Sequence, residues 1–161
     1  MHEGARRTPA SKIVRDARSL ARRLAPLRRR GRTLVFANGC FDVFHVGHVR
    51  YLQGAAREGD LLVVAVNTDA SFRKNRGRRP LVPERERCEI LASIECVDFV
   101  IPLRERTADA LIRALEPEVH AKGTDYTPDT ITERDTVHAH GGRIAIVGGP
   151  KEHSTTALVR R

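Results

Sequence analysis

The sequence predicts an α/β fold, a parallel five-stranded sheet with helices on both faces, and two observations predict it. Short apolar, β-branched runs recur along the chain, and helical periodicities fill the gaps between them. The runs are LVF (34–36), LLVVAV (61–66), DFVI (98–101), EVHA (118–121) and RIAIV (143–147), each short and apolar enough to be a buried strand. Between them Val49, Leu52 and Ala56 recur at helical spacing, and so do Ala108, Leu111, Ile112 and Leu115 behind a Thr107 cap. Strands alternating with helices make βαβ units. Such sheets take ligands at the carboxyl ends of their strands, near a topological switch point.

Before residue 33 the composition changes. Residues 1–10 (MHEGARRTPA) lack periodicity and are expected to form a disordered basic tail. Ser11 is placed to cap a helix running to about Leu24, with Ile13, Val14, Ala17, Leu20, Ala21 and Leu24 on one face. Pro26 and Gly31 then punctuate the chain, so 11–32 is a helix and linker and 33–161 the α/β domain. The 161 residues fit one such domain, and 40% apolar content supports a core. No run of about 18 apolar residues exists to cross a membrane. An Arg-rich start without an apolar segment is not a secretory signal, so a cytoplasmic protein is expected. Cys40, Cys88 and Cys96 lack metal or disulfide spacing and read as reduced thiols. The net charge of +9 points to polyanionic partners, nucleic acid or phosphorylated small molecules.

The chemistry follows the first run: Ala37-Asn38-Gly39-Cys40-Phe41-Asp42, then His45-Val46-Gly47-His48 at a helix start. Gly39 allows a tight turn after the strand, and Gly47 lets a phosphate approach the main chain. The helix start offers N–H groups and the positive end of its dipole to an anion. His45 and His48, three apart, fall on one side of it. Two imidazole donors there can stabilise charge developing on a phosphoryl oxygen. A zinc site would need further ligands at suitable spacing, so no metal ligand is assigned. Asp42 is expected to orient the turn through backbone hydrogen bonds, with an indirect contact to bound magnesium as the alternative. Cys40 adjoins the motif, but direct phosphoryl transfer needs no covalent nucleophile, so it is assigned to packing.

Further along, Ser154-Thr155-Thr156 precede a short helix from Ala157 and could bind a second phosphate. Lys122 stands beside Gly123 at the sheet edge where ligands collect. Arg79 and Arg87 flank a helix start after a basic loop, SFRKNRGR (71–78), in which Arg73, Lys74 and Arg78 are further candidates. Arginine suits forked phosphate contacts. Asp125 either meets a sugar hydroxyl or caps the following turn.

FANGCFD (36–42) with HVGH (45–48) resembles the cytidylyltransferase-like nucleotidyltransferase superfamily. The likeness continues in order through VNTDAS (66–71), Arg79-Pro80, Glu86-Arg87, KGTDY (122–126) and STT (154–156). Together these most resemble the D-glycero-β-D-manno-heptose 1-phosphate adenylyltransferases, over roughly residues 11–161. The resemblance implies a Rossmann-like nucleotidyltransferase fold that transfers AMP from ATP, with magnesium, to a sugar 1-phosphate. It implies catalytic roles for His45, His48 and Lys122. ATP would lie on Asn38, Gly39, Cys40, Phe41, Gly47, Arg87, Ser154, Thr155 and Thr156, and the acceptor near Asp42, Lys74, Arg79 and Asp125. It also implies a homodimer.

Three stretches depart from that family's pattern: Ala37 for a frequent Thr, His120-Ala121 for two aliphatic residues, and GGPKE (148–152) for a more apolar approach to STT. One rival is a cytidylyltransferase acting on glycerol 3-phosphate or a related alcohol phosphate, built on the same framework. Another is a nucleic-acid-binding module, suggested by the Arg-rich helix but opposed by the intact His45, His48, Lys122 and STT set, so nucleic acid is not the expected partner. On the favoured reading the +9 charge serves two phosphorylated substrates.

Overall fold

The computed structural model describes residues 7–150 and 154–160. Strands β1 (Leu34–Gly39), β2 (Leu61–Asn67), β3 (Phe99–Leu103), β4 (Val119–Gly123) and β5 (Arg143–Val147) form one sheet in the order β3-β2-β1-β4-β5. Every pairing is parallel. The chain steps outward from β1 to β3, crosses back to lay β4 on the other side of β1, and steps outward again. The reversal between β1 and β4 opens a crevice at their carboxyl ends. All five expected strands are present, four of them within two residues of their anticipated limits and β1 running three residues further.

Eight α-helices are described: α1 (Pro9–Lys12), α2 (Ala17–Arg28), α3 (Val46–Ala56), α4 (Asp69–Arg76), α5 (Glu84–Ala92), α6 (Asp109–Leu115), α7 (Arg134–Ala139) and α8 (Thr155–Val159). Side chains alternate across the sheet, so consecutive apolar residues feed two cores. Val35, Ala37, Leu62, Val64, Val66, Val119 and Ala121 pack with Leu52 and Ala55 of α3 and Cys88 and Leu91 of α5. Leu34, Phe36, Leu61, Val63, Phe99 and Ile101 pack with Leu20 and Leu24 of α2, Ile112 and Leu115 of α6, and Val137 of α7. No helix among the described residues is long and apolar enough to cross a membrane.

The N-terminal segment differs from the single helix expected from Ser11. Residues 1–6 of the expected tail lie outside the described residues. Thr8, not Ser11, caps α1, accepting from the Ser11 N–H at 3.3 Å, and Asp16 caps α2, accepting from the Ser19 N–H at 2.8 Å. Between the helices the Val14 N–H donates to the Val100 carbonyl at 2.9 Å, and Ile13 forms a parallel bridge to Val100. The interruption lets the chain pair with the outer strand β3, whose edge would otherwise be open. Pro26 does not end α2, which continues to Arg28. Only the last turn lies beyond Pro26, and Arg28 anchors it by donating to the carbonyls of Leu115 and Glu116 and to the Glu118 carboxylate. Thr107 does not cap α6 either; its hydroxyl donates to Asp109 at 2.6 Å.

The basic segment 71–78, expected as a loop, is mostly helix α4. Thr68 caps it by accepting from the Ser71 N–H at 3.1 Å, and Gly77 closes it in the left-handed conformation at φ 70°. Phe72 and Ser71 are buried, the latter donating to the Leu103 carbonyl at 2.8 Å. VNTDAS therefore works mainly as architecture, joining β2 to β3 and starting α4.

Arg87 lies in α5 with its side chain wholly buried. Its Nε donates to the Val82 carbonyl at 2.8 Å, and Nη1 to the carbonyls of Cys40 at 2.8 Å and Asn67 at 2.7 Å. Nη2 reaches Asp69 at 2.7 Å. Cys40 follows β1 and Asn67 ends β2, so one guanidinium ties the end of β1, which borders the crevice, to the end of β2 beside it. An Arg87→Met variant should lose several kcal/mol of unfolding free energy, because each buried carbonyl left without its donor costs about 1–3 kcal/mol. Urea unfolding measures this, and unchanged stability would mean that the carbonyls find other partners.

Candidate active site

The carboxyl edge of β1 opens into a cleft of about 860 Å³ at the switch point. Its floor is Asn38-Gly39-Cys40-Phe41. The turn after β1 is made by Phe41, whose φ of 50° is left-handed, and not by Gly39 as expected. Gly39 serves by lacking a side chain: a Cβ there would stand 3.1 Å from the Phe41 ring. That ring is buried and packs edge-on to His48 at 5.2 Å between centroids. Phe41 thus fixes the second histidine from below.

His45 is the N-cap of α3, and its imidazole performs the task usually given to Ser or Asp. Nδ1 of His45 accepts from the Gly47 N–H at 3.1 Å, and Nδ1 of His48 accepts from the His45 N–H at 3.3 Å. This is a capping box made of two imidazoles, with the rings stacked at 3.9 Å. The geometry determines the chemistry. Each Nδ1 offers its lone pair to a backbone donor, so the proton of each neutral ring resides on Nε2. Both histidines line the cleft. The Gly47 N–H, expected to face a phosphate, is held by His45.

On the β4 side Lys122 is buried among polar neighbours. Its Nζ sits 4.4 Å from the centre of the Tyr126 ring. Burial pushes its pKa down, opposed by the negative charges of Glu133 and Asp125. Glu133 is itself buried, accepting from the Ala108 N–H at 3.1 Å and the Thr132 hydroxyl at 3.0 Å, and Lys122 helps hold its carboxyl below the usual range against burial. Asp125 lines the same wall.

On the β2 side the cations that face the cleft are Arg76, Arg78 and Arg106. Lys74 and Arg79, expected there, are exposed outside it. Helical spacing explains the exchange, because Arg76 follows the inward-facing Phe72 by four residues and Lys74 by two. Arg87 lies behind the cleft wall as a strut and is not among its lining residues, contrary to the expected phosphate contact. Asp42 does make backbone hydrogen bonds, but not to the histidine turn. Its Oδ1 accepts from the N–H groups of Leu81 at 2.8 Å and Val82 at 3.0 Å, while Oδ2 meets Arg78 at 3.1 Å. It fastens the 78–82 segment against the site. Nothing in the spacing announced Arg106 or Glu133; only the topology brings them in.

The remaining wall comes from the C-terminal part. Ser154 caps α8, accepting from the Ala157 N–H at 3.1 Å, so the helix starts at Thr155 rather than Ala157. Ser154, Thr155 and Thr156 all line the cleft. The departure at 148–152 is in part a turn: Gly148 and Gly149 have φ of 103° and 69°, and a Cβ on Gly148 would stand 3.1 Å from the backbone of Tyr51. Residues 151–153 lie outside the described residues.

A family model described as cytidylyltransferase-like matches residues 36–159. The bifunctional protein HldE of Syntrophotalea carbinolica is 48% identical over 149 residues, 92% of this chain and 30% of that protein. HldE of Geotalea uraniireducens is 46% identical with the same coverage. The chain therefore spans about 30% of the length of these curated relatives. Among solved structures, the lipopolysaccharide core biosynthesis protein from Thermoplasma volcanium GSS1 is 28% identical with a TM-score of 0.66, covering 75% of this chain and 100% of that one. Pantoate-β-alanine ligase from Francisella tularensis, 14% identical with a TM-score of 0.62 over 89% of this chain and 68% of that one, shares the fold. With the family match running from β1 through α8, on the switch-point cleft described above, this chain belongs to the cytidylyltransferase-like family of nucleotidyltransferases.

Proposed function

We propose that the chain is an adenylyltransferase that moves AMP from ATP to a sugar 1-phosphate, D-glycero-D-manno-heptose 1-phosphate, giving ADP-heptose and pyrophosphate. The observation that carries the transfer chemistry is the pair of capping imidazoles, whose Nε2 protons are set by backbone hydrogen bonds in a cleft flanked by Lys122 and Arg76, Arg78 and Arg106. The sugar acceptor is supported by the resemblance in NTDAS (67–71), KGTDY (122–126) and STTAL (154–158) and by the Thermoplasma volcanium relative's description as a lipopolysaccharide core biosynthesis protein.

An oxygen of the sugar phosphate attacks the α-phosphorus in line; the bond to the bridging oxygen breaks, and pyrophosphate leaves. The protein's work is to position the reactants and neutralise charge. His45 and His48 donate from Nε2 to the α-phosphoryl oxygens as charge builds there. Lys122 and the Ser154–Thr156 hydroxyls hold the triphosphate, and Arg76 and Arg106 hold the acceptor phosphate. Among the described residues no group of three or more His, Cys, Asp or Glu could hold a metal. Magnesium belongs on this reading to the triphosphate as substrate, and no step is assigned to a resident ion.

Pyrophosphate release with ATP or CTP, each paired with heptose 1-phosphate or glycerol 3-phosphate, tests the assignment. Release confined to ATP with heptose 1-phosphate is expected; release with CTP instead would retain the site and refute the nucleotide.

His48→Ala should lower kcat by about 10²–10³, the effect of one lost oxyanion donor. His45→Asn keeps an N-cap acceptor while removing the Nε2 donor, so it should fold normally and lose turnover to a similar degree. Near-normal kcat in both would remove the imidazoles from the mechanism.

Because burial lowers the Lys122 pKa, the free enzyme loses this ammonium at a pH below the ordinary lysine value of 10.5. A bound triphosphate favours the charged form and moves the loss back up. The alkaline limb of kcat/KM for ATP should therefore fall at lower pH than that of kcat at saturating ATP. Lys122→Arg should abolish that limb in whatever activity remains, and coincident limbs would show that Lys122 does not meet the phosphates.

A further inference from the structure

His120, one of the positions that depart from the family pattern, sits in the middle of β4 with no exposed surface. Its ring packs edge-on against Phe36 of the neighbouring strand at 5.5 Å. Nε2 lies 2.9 Å from Oδ1 of Asn38, two residues beyond Phe36 on β1. Nδ1 is buried, with no hydrogen-bond partner among the described residues. The charged groups felt at the ring are Lys122, Glu133 and Asp109; burial first and Lys122 second push its pKa down to about 4, so it carries one proton at neutral pH.

That proton has two possible homes, and the surroundings decide between them. With the proton on Nε2, the ring donates to the Asn38 carbonyl oxygen and leaves only a lone pair unmatched at Nδ1. With the Asn38 amide reversed, its NH₂ would donate to Nε2, and the proton would move to Nδ1 as a buried N–H with no acceptor. An orphaned buried N–H is the rarer and costlier arrangement. The first state therefore wins, and the amide of Asn38 presents its NH₂ away from His120. Asn38 lines the cleft beside Gly39.

We propose that His120 is a positioning residue that locks the Asn38 amide with its NH₂ toward the cleft, so that the end of β1 offers a donor rather than a carbonyl oxygen to an incoming nucleotide phosphate. An unlocked amide could rotate and set a carbonyl dipole against the anion. The proposal rests on the phosphate-binding reading of the cleft, but its first test does not.

In protein labelled with ¹⁵N-histidine, the His120 nitrogens should show a protonated Nε2 and an unprotonated Nδ1 at neutral pH; the opposite tautomer overturns the proposal whether or not the chain turns over ATP. His120→Leu suits the apolar neighbourhood of Phe36 and should fold. It should raise the KM for ATP by about tenfold, the scale of one lost phosphate hydrogen bond, while leaving the acceptor KM unchanged. His120→Gln keeps an N–H donor and should recover most of that loss. An ATP KM unchanged in His120→Leu, or depressed affinity for both substrates alike with no rescue by Gln, would reduce His120 to a packing residue. If the wild-type protein binds neither ATP nor CTP by calorimetry, the functional reading fails, and the tautomer alone decides whether the lock exists.

Discussion

The site depends on holding the ends of β1 and β2 at a fixed separation. Both strands end where the chain must turn, and there lie the backbone carbonyls of Cys40, just past β1, and Asn67, the last residue of β2. Arg87 satisfies both from one planar group and reaches Val82 and Asp69 with its remaining nitrogens. The side chain is fully buried while its partner Asp69 is half exposed, so the anchoring lies in the three carbonyl bonds more than in the ion pair. A shorter or uncharged residue could not serve three acceptors on three segments. With the carbonyls held, the Phe41 turn and the histidine helix that follows it have a rigid base.

On that base, secondary structure and chemistry use the same atoms. A helix must satisfy its first N–H groups, and Ser or Asp commonly does so. Here two imidazoles do it. The cap uses the Nδ1 lone pairs, so helix initiation also selects the tautomer. Protonation at Nδ1 would break the cap and reverse the hydrogen-bonding role of the ring. The folded state therefore favours the Nε2 tautomer of both neutral rings through the same bonds that start the helix. Phe41 and Phe44 pack on the His48 ring and restrict it further.

The five strands, both helix-covered faces and the histidine motif were legible in the sequence because each rests on local pattern: apolar runs of strand length, helical spacing, and an unusual residue pair beside glycine. The directions of the basic side chains were not. Calling 71–78 a loop concealed the periodicity that separates Arg76 from Lys74, although Thr68-Asp69 is a recognisable helix start. Arg87 looked like a phosphate ligand because it is an arginine beside a helix start that follows a basic segment; that its nitrogens meet backbone carbonyls depends on how α5 lies across β1 and β2. The same holds for Asp42, whose partners Leu81 and Val82 are some forty positions away. The early break between α1 and α2 was hidden for a related reason, since the bond that causes it goes to Val100.

The chain's charge also looks different once it is placed. Among the described lining residues the cleft has four cations, Arg76, Arg78, Arg106 and Lys122, against three carboxylates, Asp42, Asp125 and Glu133. Most of the net +9 must therefore lie elsewhere, and Arg15, Arg18, Arg22, Arg29, Arg30 and Arg32 are exposed on the N-terminal segment. At physiological salt, exposed charges act over about 8 Å, so those distant from the cleft add little to the field within it. The general basicity inferred from composition thus does not account for anion binding at the site. What does is the placement of individual donors: imidazoles whose protons are set by a helix cap, a lysine kept in a poorly solvated wall, and an arginine, Arg76, aimed by one helical turn. Fixed donors of this kind need no reorganisation when charge develops, which makes placement, rather than total charge, the property that suits the cleft to phosphoryl transfer.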